Sequence, residues 1–128
     1  MSEIKVSHQS TALVLNIETL GIEITAHGET WRSEKTYQPH FYVNDKKIYF
    51  HQAGKLEHFS WNTGVGCGIR SVFSGFHLSG KEDTLSFQTV IWIEYATKDI
   101  FFELNPLTES EQCIGNFYWP GQMEFRKK

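Results

Sequence analysis

Apolar residues alternate with polar residues along most of this chain, and this period of two constrains the fold more than any other feature. The longest example runs from Leu85 to Tyr95, where the odd positions are apolar except Thr89. Successive side chains of a β-strand point to opposite faces of a sheet, so the alternation predicts a strand with one buried face. Val90 and Trp92 add apolar residues to the second face, which predicts a central strand covered there on both sides.

Two hairpins are predicted before this strand. In the first, an alternating segment with Leu13 and Leu15 turns near Gly21 into another with Ile22 and Ile24. Each of these segments places its apolar residues at every second position. The hairpin is therefore expected to bury one face.

The second hairpin is the clearest in the sequence. Its strands, 41–43 and 48–50, flank Asn44 and Asp45, residue types that favour turns by bonding to their own backbone. With Val43 opposite Ile48, His40 would face His51 across the hairpin, with Cβ atoms roughly 5 Å apart. Two solvated histidines at the end of the strands are the simpler interpretation of this pair.

Helical signals are nearly absent. The best candidate is the segment 105–111, where Asn105 suits a helix cap and Pro106 suits the first helical position, for at most two turns. The sequence thus predicts an all-β fold, an antiparallel β-sandwich of about nine or ten strands with at most one short helix. Residues 1–128 are expected to form a single domain. The predicted core contains Leu15, Ile24, Phe41, Phe87, Ile91, Ile93, Phe102 and Phe117.

Composition excludes several classes of protein. A chain of 128 residues with 40% hydrophobic and 21% charged residues is long enough and apolar enough for one packed core. Its 15% aromatic content favours strands. The formal net charge of −3 gives no basic face, which argues against nucleic acid as a partner.

The setting is predicted to be cytoplasmic, without membrane insertion. No apolar run approaches the ~20 residues of a membrane-spanning helix, and the first residues lack the apolar centre of a signal peptide. Cys67 and Cys113 stand alone and far apart, so two free thiols are expected instead of a disulfide framework.

No motif for catalysis, metal binding or cofactor binding stands out. The six histidines lack the close spacing of a zinc site, and only His40 and His51 can be argued into proximity, so no metal is expected. Gly64, Gly66 and Gly68 resemble a phosphate loop, but the next residues read as a strand and not as the helix that such a loop needs. These glycines are expected to allow a bulge or the close approach of another backbone. No catalytic residue and no cofactor are predicted.

Trp61 is the aromatic residue best placed to contact a sugar. It precedes Asn62-Thr63-Gly64, which predicts a position beside a loop. The axial C–H face of a pyranose is apolar and stacks on an aromatic ring. Burial in the core is the simpler interpretation of any single Trp in a small β-protein.

Two stretches resemble a known family. They are residues 61–76, from Trp61 to Phe76, and residues 117–125, which include Trp119-Pro120-Gly121. Both are similar to segments of the N-terminal β-sandwich, a galactose-mutarotase-like supersandwich module, that precedes the catalytic barrel in some bacterial glycoside hydrolases. The resemblance covers roughly residues 60 to 125. It implies a carbohydrate setting and places the catalytic acids in the barrel, outside this module.

The sequence therefore predicts an accessory module of a glycoside hydrolase, which contributes loops to glycan positioning and is not catalytic alone. The residues expected to contact carbohydrate are Trp61, Arg70 and Trp119; Arg70 would otherwise pair with an acid on the neighbouring strand. The expected partners are a weakly bound carbohydrate or a downstream catalytic domain. Self-association is expected through the face with Trp119 and Phe125.

Two other functions are compatible with the sequence. One is a free-standing β-barrel or sandwich that binds a small ligand in an aromatic-lined pocket. A barrel should pair its last strand with its first. The other is a small enzyme that uses the pair His40 and His51.

Overall fold

The computed structural model describes residues 3–33, 36–78, 81–82, 85–108, 114–120 and 123–127. These residues form strands and one short 3-10 turn, Phe50–Gln52, so the predicted all-β class is confirmed. None of the described helical structure is long and apolar enough to span a membrane. The strands are β1 (Glu3–His8), β2 (Thr11–Asn16), β3 (Ile22–Ala26), β4 (Glu29–Ser33), β5 (His40–Val43), β6 (Lys46–Tyr49), β7 (Lys55–Asn62), β8 (Gly66–Ser74), β9 (His77–Leu78), β10 (Lys81–Glu82), β11 (Phe87–Glu94), β12 (Ile100–Pro106), β13 (Ile114–Tyr118) and β14 (Met123–Lys127).

The strands pair in three antiparallel sheets and one small hairpin. A five-stranded sheet has the order β1-β2-β3-β4-β14, a four-stranded sheet the order β12-β11-β8-β7, and a three-stranded sheet the order β13-β5-β6. Strands β9 and β10 form the hairpin. Several of the strands are only two to four residues long, which is why their number exceeds the predicted nine or ten.

An aliphatic cluster joins the five-stranded sheet to the four-stranded sheet. Leu13 and Ile24 of the first sheet pack with Ile69, Ile91 and Ile93 of the second. The odd positions of β11 and β8 are buried on the inner face of the four-stranded sheet, as the alternation predicts for β11.

An aromatic cluster joins the three-stranded sheet to the other end of the four-stranded sheet. The Phe87 ring lies 5.5 Å from Phe41, 5.0 Å from Phe50 and 5.1 Å from Phe73 between ring centroids. These four rings are at most 2% exposed. The interior at this end is filled by rings that pack on one another.

The predicted core is confirmed in its main members. Six of its residues are buried, and Phe102 and Phe117 are partly buried and pack against the clusters. The six are Leu15, Ile24, Phe41, Phe87, Ile91 and Ile93.

The predicted register of the second hairpin is wrong. Val43 pairs with Lys46, not with Ile48, because Asn44 and Asp45 form a tight turn with φ values of 49° and 69°. A two-residue turn with positive φ at both positions suits the twist of a hairpin, and Asn and Asp tolerate that conformation. His40 consequently lies opposite Tyr49 and does not face His51.

His51 lies instead in the 3-10 turn. Its Nε2 atom is 3.0 Å from the backbone oxygen of Glu18. The two histidines on which the small-enzyme hypothesis depended are therefore not a cross-strand pair.

The predicted helix at 105–111 is also wrong where the structure describes it. Asn105 pairs with Gln88 and Pro106 with Phe87, so both residues end strand β12. Strand β12 lies at the edge of its sheet, where a proline without an N–H is tolerated. Residues 109–111 lie outside the described part of the chain.

The ends of the chain do not close a barrel. Strand β14 pairs with β4, and β1 pairs with β2 at the opposite edge of the five-stranded sheet. The arrangement is that of a sandwich with open sheets. Cys67 is buried as a free thiol, and Cys113 lies outside the described residues.

Candidate functional site

The outward face of the four-stranded sheet carries two neighbouring rows of side chains. Antiparallel pairing places residues from all four strands directly across from one another. One row is Phe59, Arg70, Val90 and Glu103, and the next is Trp61, Gly68, Trp92 and Phe101. A groove of about 530 Å³ follows these rows, and we call it the outer groove; its lining residues are Phe59, Trp61, Thr63, Arg70, Val90, Trp92 and Glu103.

Glycines in β8 make room for the tryptophan rings. A Cβ atom at Gly68 would lie 2.5 Å from the backbone oxygen of Ile91 and 3.0 Å from Cζ2 of Trp61. One at Gly66 would lie 2.5 Å from the backbone oxygen of Ile93. Real Cβ contacts are longer than this, so both positions require glycine, and the expected close approach of a neighbouring backbone is confirmed.

The aromatic rings of the second row contact one another and form a continuous apolar surface. The Trp61 and Trp92 ring centroids are 5.9 Å apart at 45°, and Phe101 stacks on Trp92 at 4.9 Å. Phe59 and Phe101 are 40% and 38% exposed. Partly exposed rings that lie next to one another in this way make the face a candidate contact surface.

Arg70 stands at one side of the outer groove. Its Nη1 donates a hydrogen bond to Oε1 of Gln88 at 3.1 Å, and its guanidinium lies 4.9 Å from the Phe59 ring centroid. The partner of Arg70 on the neighbouring strand is therefore an amide, not the acid that the alternative interpretation predicted. Packing on a ring and one hydrogen bond fix the guanidinium in place while leaving further N–H donors on it.

Glu103 stands at the other side. Its Oε2 accepts a hydrogen bond of 2.6 Å from the indole Nε1 of Trp92. Arg70 and Glu103 belong to β8 and β12, with Val90 of β11 between them, so their backbones are about 10 Å apart. The outer groove thus has an apolar floor between a cationic donor and an anionic acceptor.

The structure brings together two of the three predicted carbohydrate contacts. Trp61 and Arg70 both line the outer groove. Trp119 does not: it packs against both hydrophobic clusters, with its ring edge-on to Phe102 at 5.9 Å. Its predicted contact with sugar stays a prediction, and its packing gives it a structural role.

Sequence reasoning missed Trp92, Glu103 and Phe59 as members of this site. Phe59 and Trp61 stand two positions apart in β7, which is a signal that both face the same side. Trp92 and Glu103 reach the groove only through the pairing of β11 with β12, and a sequence without its strand register does not place them.

A second depression, of about 540 Å³, lies where the loops near Thr19, Tyr37 and Gln52 meet. The Tyr37 side chain is 7% exposed, and its hydroxyl has no hydrogen-bond partner among the described residues. Burial, and to a smaller extent Tyr118, raises the pKa of the Tyr37 phenol. The group therefore stays protonated and neutral.

Titratable groups form no metal cluster in the described ranges, where no three His, Cys, Asp or Glu side chains converge. His58, at the edge of the four-stranded sheet, bonds through Nδ1 to the Ser71 hydroxyl at 2.8 Å. Partial burial lowers the pKa of His58.

Comparisons with known proteins place this fold. No protein-family model matches the sequence, and no curated protein matches it significantly. Solved structures do match: an alpha-N-acetylgalactosaminidase from Bifidobacterium bifidum, in complex with Gal-NHAc-DNJ, is 31% identical with a TM-score of 0.84 over 94% of this chain. The ligand-free form of that enzyme is 29% identical over 95% of this chain, with a TM-score of 0.81.

The match covers only a small part of that enzyme. This chain spans 19% of the length of the solved structure, although nearly all of this chain is included. Both the backbone and the sequence agree over that part, which confirms the resemblance predicted from residues 61–76 and 117–125. The chain is similar, over almost its entire length, to one small module of a bacterial glycoside hydrolase.

Proposed function

We propose that this chain is an accessory β-sandwich module of a glycoside hydrolase and is not catalytic alone. The observation that carries the proposal is the likeness over 94% of this chain to only 19% of an alpha-N-acetylgalactosaminidase. A module of that size leaves most of such an enzyme to supply the active site. The partner is accordingly a downstream catalytic domain, with this module at the N-terminal side.

The outer groove is the part of the module that we propose contacts a glycan. The half-buried Trp61 ring offers a stacking surface, and the Arg70 guanidinium, held by Gln88, offers hydrogen-bond donors to sugar hydroxyls. Because the similar enzyme is an alpha-N-acetylgalactosaminidase with a solved GalNAc complex, the ligand we propose is a glycan with N-acetylgalactosamine or galactose. An open groove with few polar contacts supports binding in the millimolar range, which corresponds to about 4 kcal/mol.

Two alternatives have less support. A free-standing barrel or sandwich that binds a small ligand in its aromatic-lined interior needs open space there, whereas Phe41, Phe50, Phe73 and Phe87 pack closely on one another. A small enzyme built on His40 and His51 lacks the facing pair, since Tyr49 lies opposite His40. Cytoplasmic location, a bacterial source and self-association remain predictions from the sequence.

Titration of the ¹⁵N-labelled chain with N-acetylgalactosamine tests this proposal. The four tryptophan residues give separate indole N–H signals, and those of Trp61 and Trp92 are expected to shift with a millimolar Kd. Arg70→Ala should weaken the shifts. Its matched control is Arg32→Ala, an arginine of the five-stranded sheet that pairs with Glu23 at 2.8 Å and should leave binding unchanged.

Activity is measured on the same sample with an aryl α-N-acetylgalactosaminide. No turnover is expected from the chain alone. Turnover that a single Glu or Asp substitution abolishes would replace the accessory-module proposal with an enzymatic one. Absence of any indole shift up to high sugar concentration would remove the glycan contact and leave a module that only packs on its catalytic domain.

A further inference from the structure

The carboxylate of Glu103 gives the outer groove a second polar side that the sequence did not predict. The indole Nε1 of Trp92 donates a hydrogen bond to Oε2 of Glu103. The carboxylate has further lone pairs that can accept other hydrogen bonds. Glu103 is exposed, so these lone pairs are open to a ligand in the groove. The bond to a half-buried indole fixes the direction of the carboxylate without neutralising its charge.

Opposite charges at the two sides of the groove select for a particular kind of ligand. A sugar hydroxyl both donates and accepts hydrogen bonds, so a neutral pyranose can accept from Arg70 and donate to Glu103. Val90 lies between these residues at the bottom of the groove and is 8% exposed, so most of the apolar surface open to a ligand comes from the neighbouring indole rings. The apolar C–H face of the same sugar can then lie on this floor and on the indoles.

A sugar acid gains less from this arrangement than it would from Arg70 alone. Its carboxylate is attracted to Arg70 but is repelled by Glu103 across the groove, which offsets part of that attraction. If Glu103 lost its charge, Arg70 alone would favour the acid through a charge-assisted, two-pronged hydrogen bond. The balance between the two classes of sugar therefore depends on one side chain.

We propose that Glu103, positioned by Trp92, is the specificity-determining residue of the outer groove, where its charge disfavours sugar acids relative to neutral pyranoses. This inference rests on the proposed glycan contact. It adds the ligand class that the groove takes and the residue that sets it. Trp92 is a positioning residue here, because it acts through the carboxylate that it holds.

The test compares galactose with galacturonate, which differ only at C6, on the wild-type chain and on Glu103→Gln. The glutamine can still accept the Trp92 hydrogen bond through its amide oxygen but carries no charge. Binding is followed by the indole signals of Trp61 and Trp92. The matched control is Glu29→Gln, which removes one negative charge from β4 of the five-stranded sheet.

The wild-type chain supplies the reference ratio of the Kd values for galactose and galacturonate. In Glu103→Gln the ratio of the two Kd values should shift toward galacturonate by at least about threefold, the scale of one charge contact in a solvated groove. Glu29→Gln should leave the ratio unchanged. Trp92→Phe, which removes the N–H donor, should shift the ratio in the same direction as Glu103→Gln but less.

Two outcomes would overturn the inference, and they are distinguishable. If galactose shifts the Trp61 signal and Glu103→Gln leaves the Kd ratio unchanged, the specificity role is lost while the glycan contact stands. If neither sugar shifts an indole signal of the wild-type chain, the glycan contact itself fails. Unchanged dispersion of the amide signals in each variant shows that the fold is intact.

Discussion

The two faces of the four-stranded sheet use similar apolar side chains for different purposes. On the inner face, Ile91 and Ile93 are at most 4% exposed, because the five-stranded sheet covers them. On the outer face, Trp92 of the same strand contacts Trp61 and Phe101, which belong to its own sheet. The inner face is covered by another layer, and the outer face is covered only by its own side chains in the described structure.

The aromatic residues show the same difference. Phe87 contacts Phe41 and Phe50 across the sandwich and is 1% exposed. Phe101 stacks on Trp92 of the adjacent strand in the same sheet and is 38% exposed. An aromatic residue in a strand therefore does not identify the core. What decides is whether a second sheet lies over it.

The inner face should respond most strongly to truncation. Ile91→Ala removes a side chain that is 4% exposed in the aliphatic cluster, and we expect the free energy of unfolding to fall by about 2–5 kcal/mol. Chemical denaturation measures this loss. Val72→Ala, a half-buried valine on the outward side of β8, is the control and should cost much less. A loss below ~0.5 kcal/mol for Ile91→Ala would contradict the assignment of the two faces.

The glycines of β8 connect the two faces, and Gly68→Ala should have the next largest effect. The added methyl group would lie 2.5 Å from both the Ile91 backbone oxygen and the Trp92 Cβ atom, so strands β8 and β11 must separate locally. Overpacking of this kind costs about 1–3 kcal/mol. The control is Gly64→Ala, where a Cβ atom would meet nothing within 4 Å. Equal stability of the two variants in denaturant would contradict the close approach.

The strand pattern made much of the fold predictable, and strand register limited the rest. Alternation placed Phe87, Ile91 and Ile93 on the buried face, because burial of one face imposes a period of two on the sequence. The error at Asn44 and Asp45 arose from turn length. A two-residue turn and a four-residue turn are both compatible with those residues, and the choice moves every cross-strand partner.

The candidate site was predictable only in part for the same reason. Trp61 and Arg70 belong to strands next to each other in the chain, and both were identified. Glu103 comes from β12, four strands further along the chain than β8, and only pairing through β11 brings it into the same row as Arg70. The expected covering of β11 on both faces around residues 90 to 92 is confirmed at Val90, which is 8% exposed, whereas Trp92 is only half-buried beside the outer groove.

Neighbouring residues of one edge strand allow a finer comparison. Phe102 packs against the aliphatic cluster and Trp119, whereas Phe101 lies on the outer face. We expect Phe102→Ala to lower the free energy of unfolding clearly more than Phe101→Ala does. The loss for Phe101→Ala should stay at about 0.5–1.5 kcal/mol, the contribution of one aromatic pair. Thermal unfolding of both variants measures the difference. The reverse order would mean that the outer rings, and not the sandwich interior, stabilise β12.

The smallest expected effect concerns the pH dependence of stability at His58. Partial burial lowers the pKa of His58 below its ordinary value of 6.5, so the folded state favours the neutral ring. Its Nδ1 atom bonds to the Ser71 hydroxyl on the inward side of the sheet. Below pH 6.5 the unfolded chain binds a proton more readily than the folded chain, so stability is lost as the pH falls through that range. Above pH 6.5 the ring of His58 is neutral in both the folded and the unfolded chain, so it causes no loss of stability there.

Denaturation series between pH 7 and pH 5 should therefore show a steeper loss of stability for the wild-type chain than for His58→Gln. The matched control is His27→Asn, at an exposed turn position with a φ of 55° that asparagine tolerates. This control should keep the wild-type slope. Parallel slopes for the wild-type chain and His58→Gln would show that the edge of the inner face is as open to water as the outer groove. The contrast between the two faces would then apply only to the centre of the sheet.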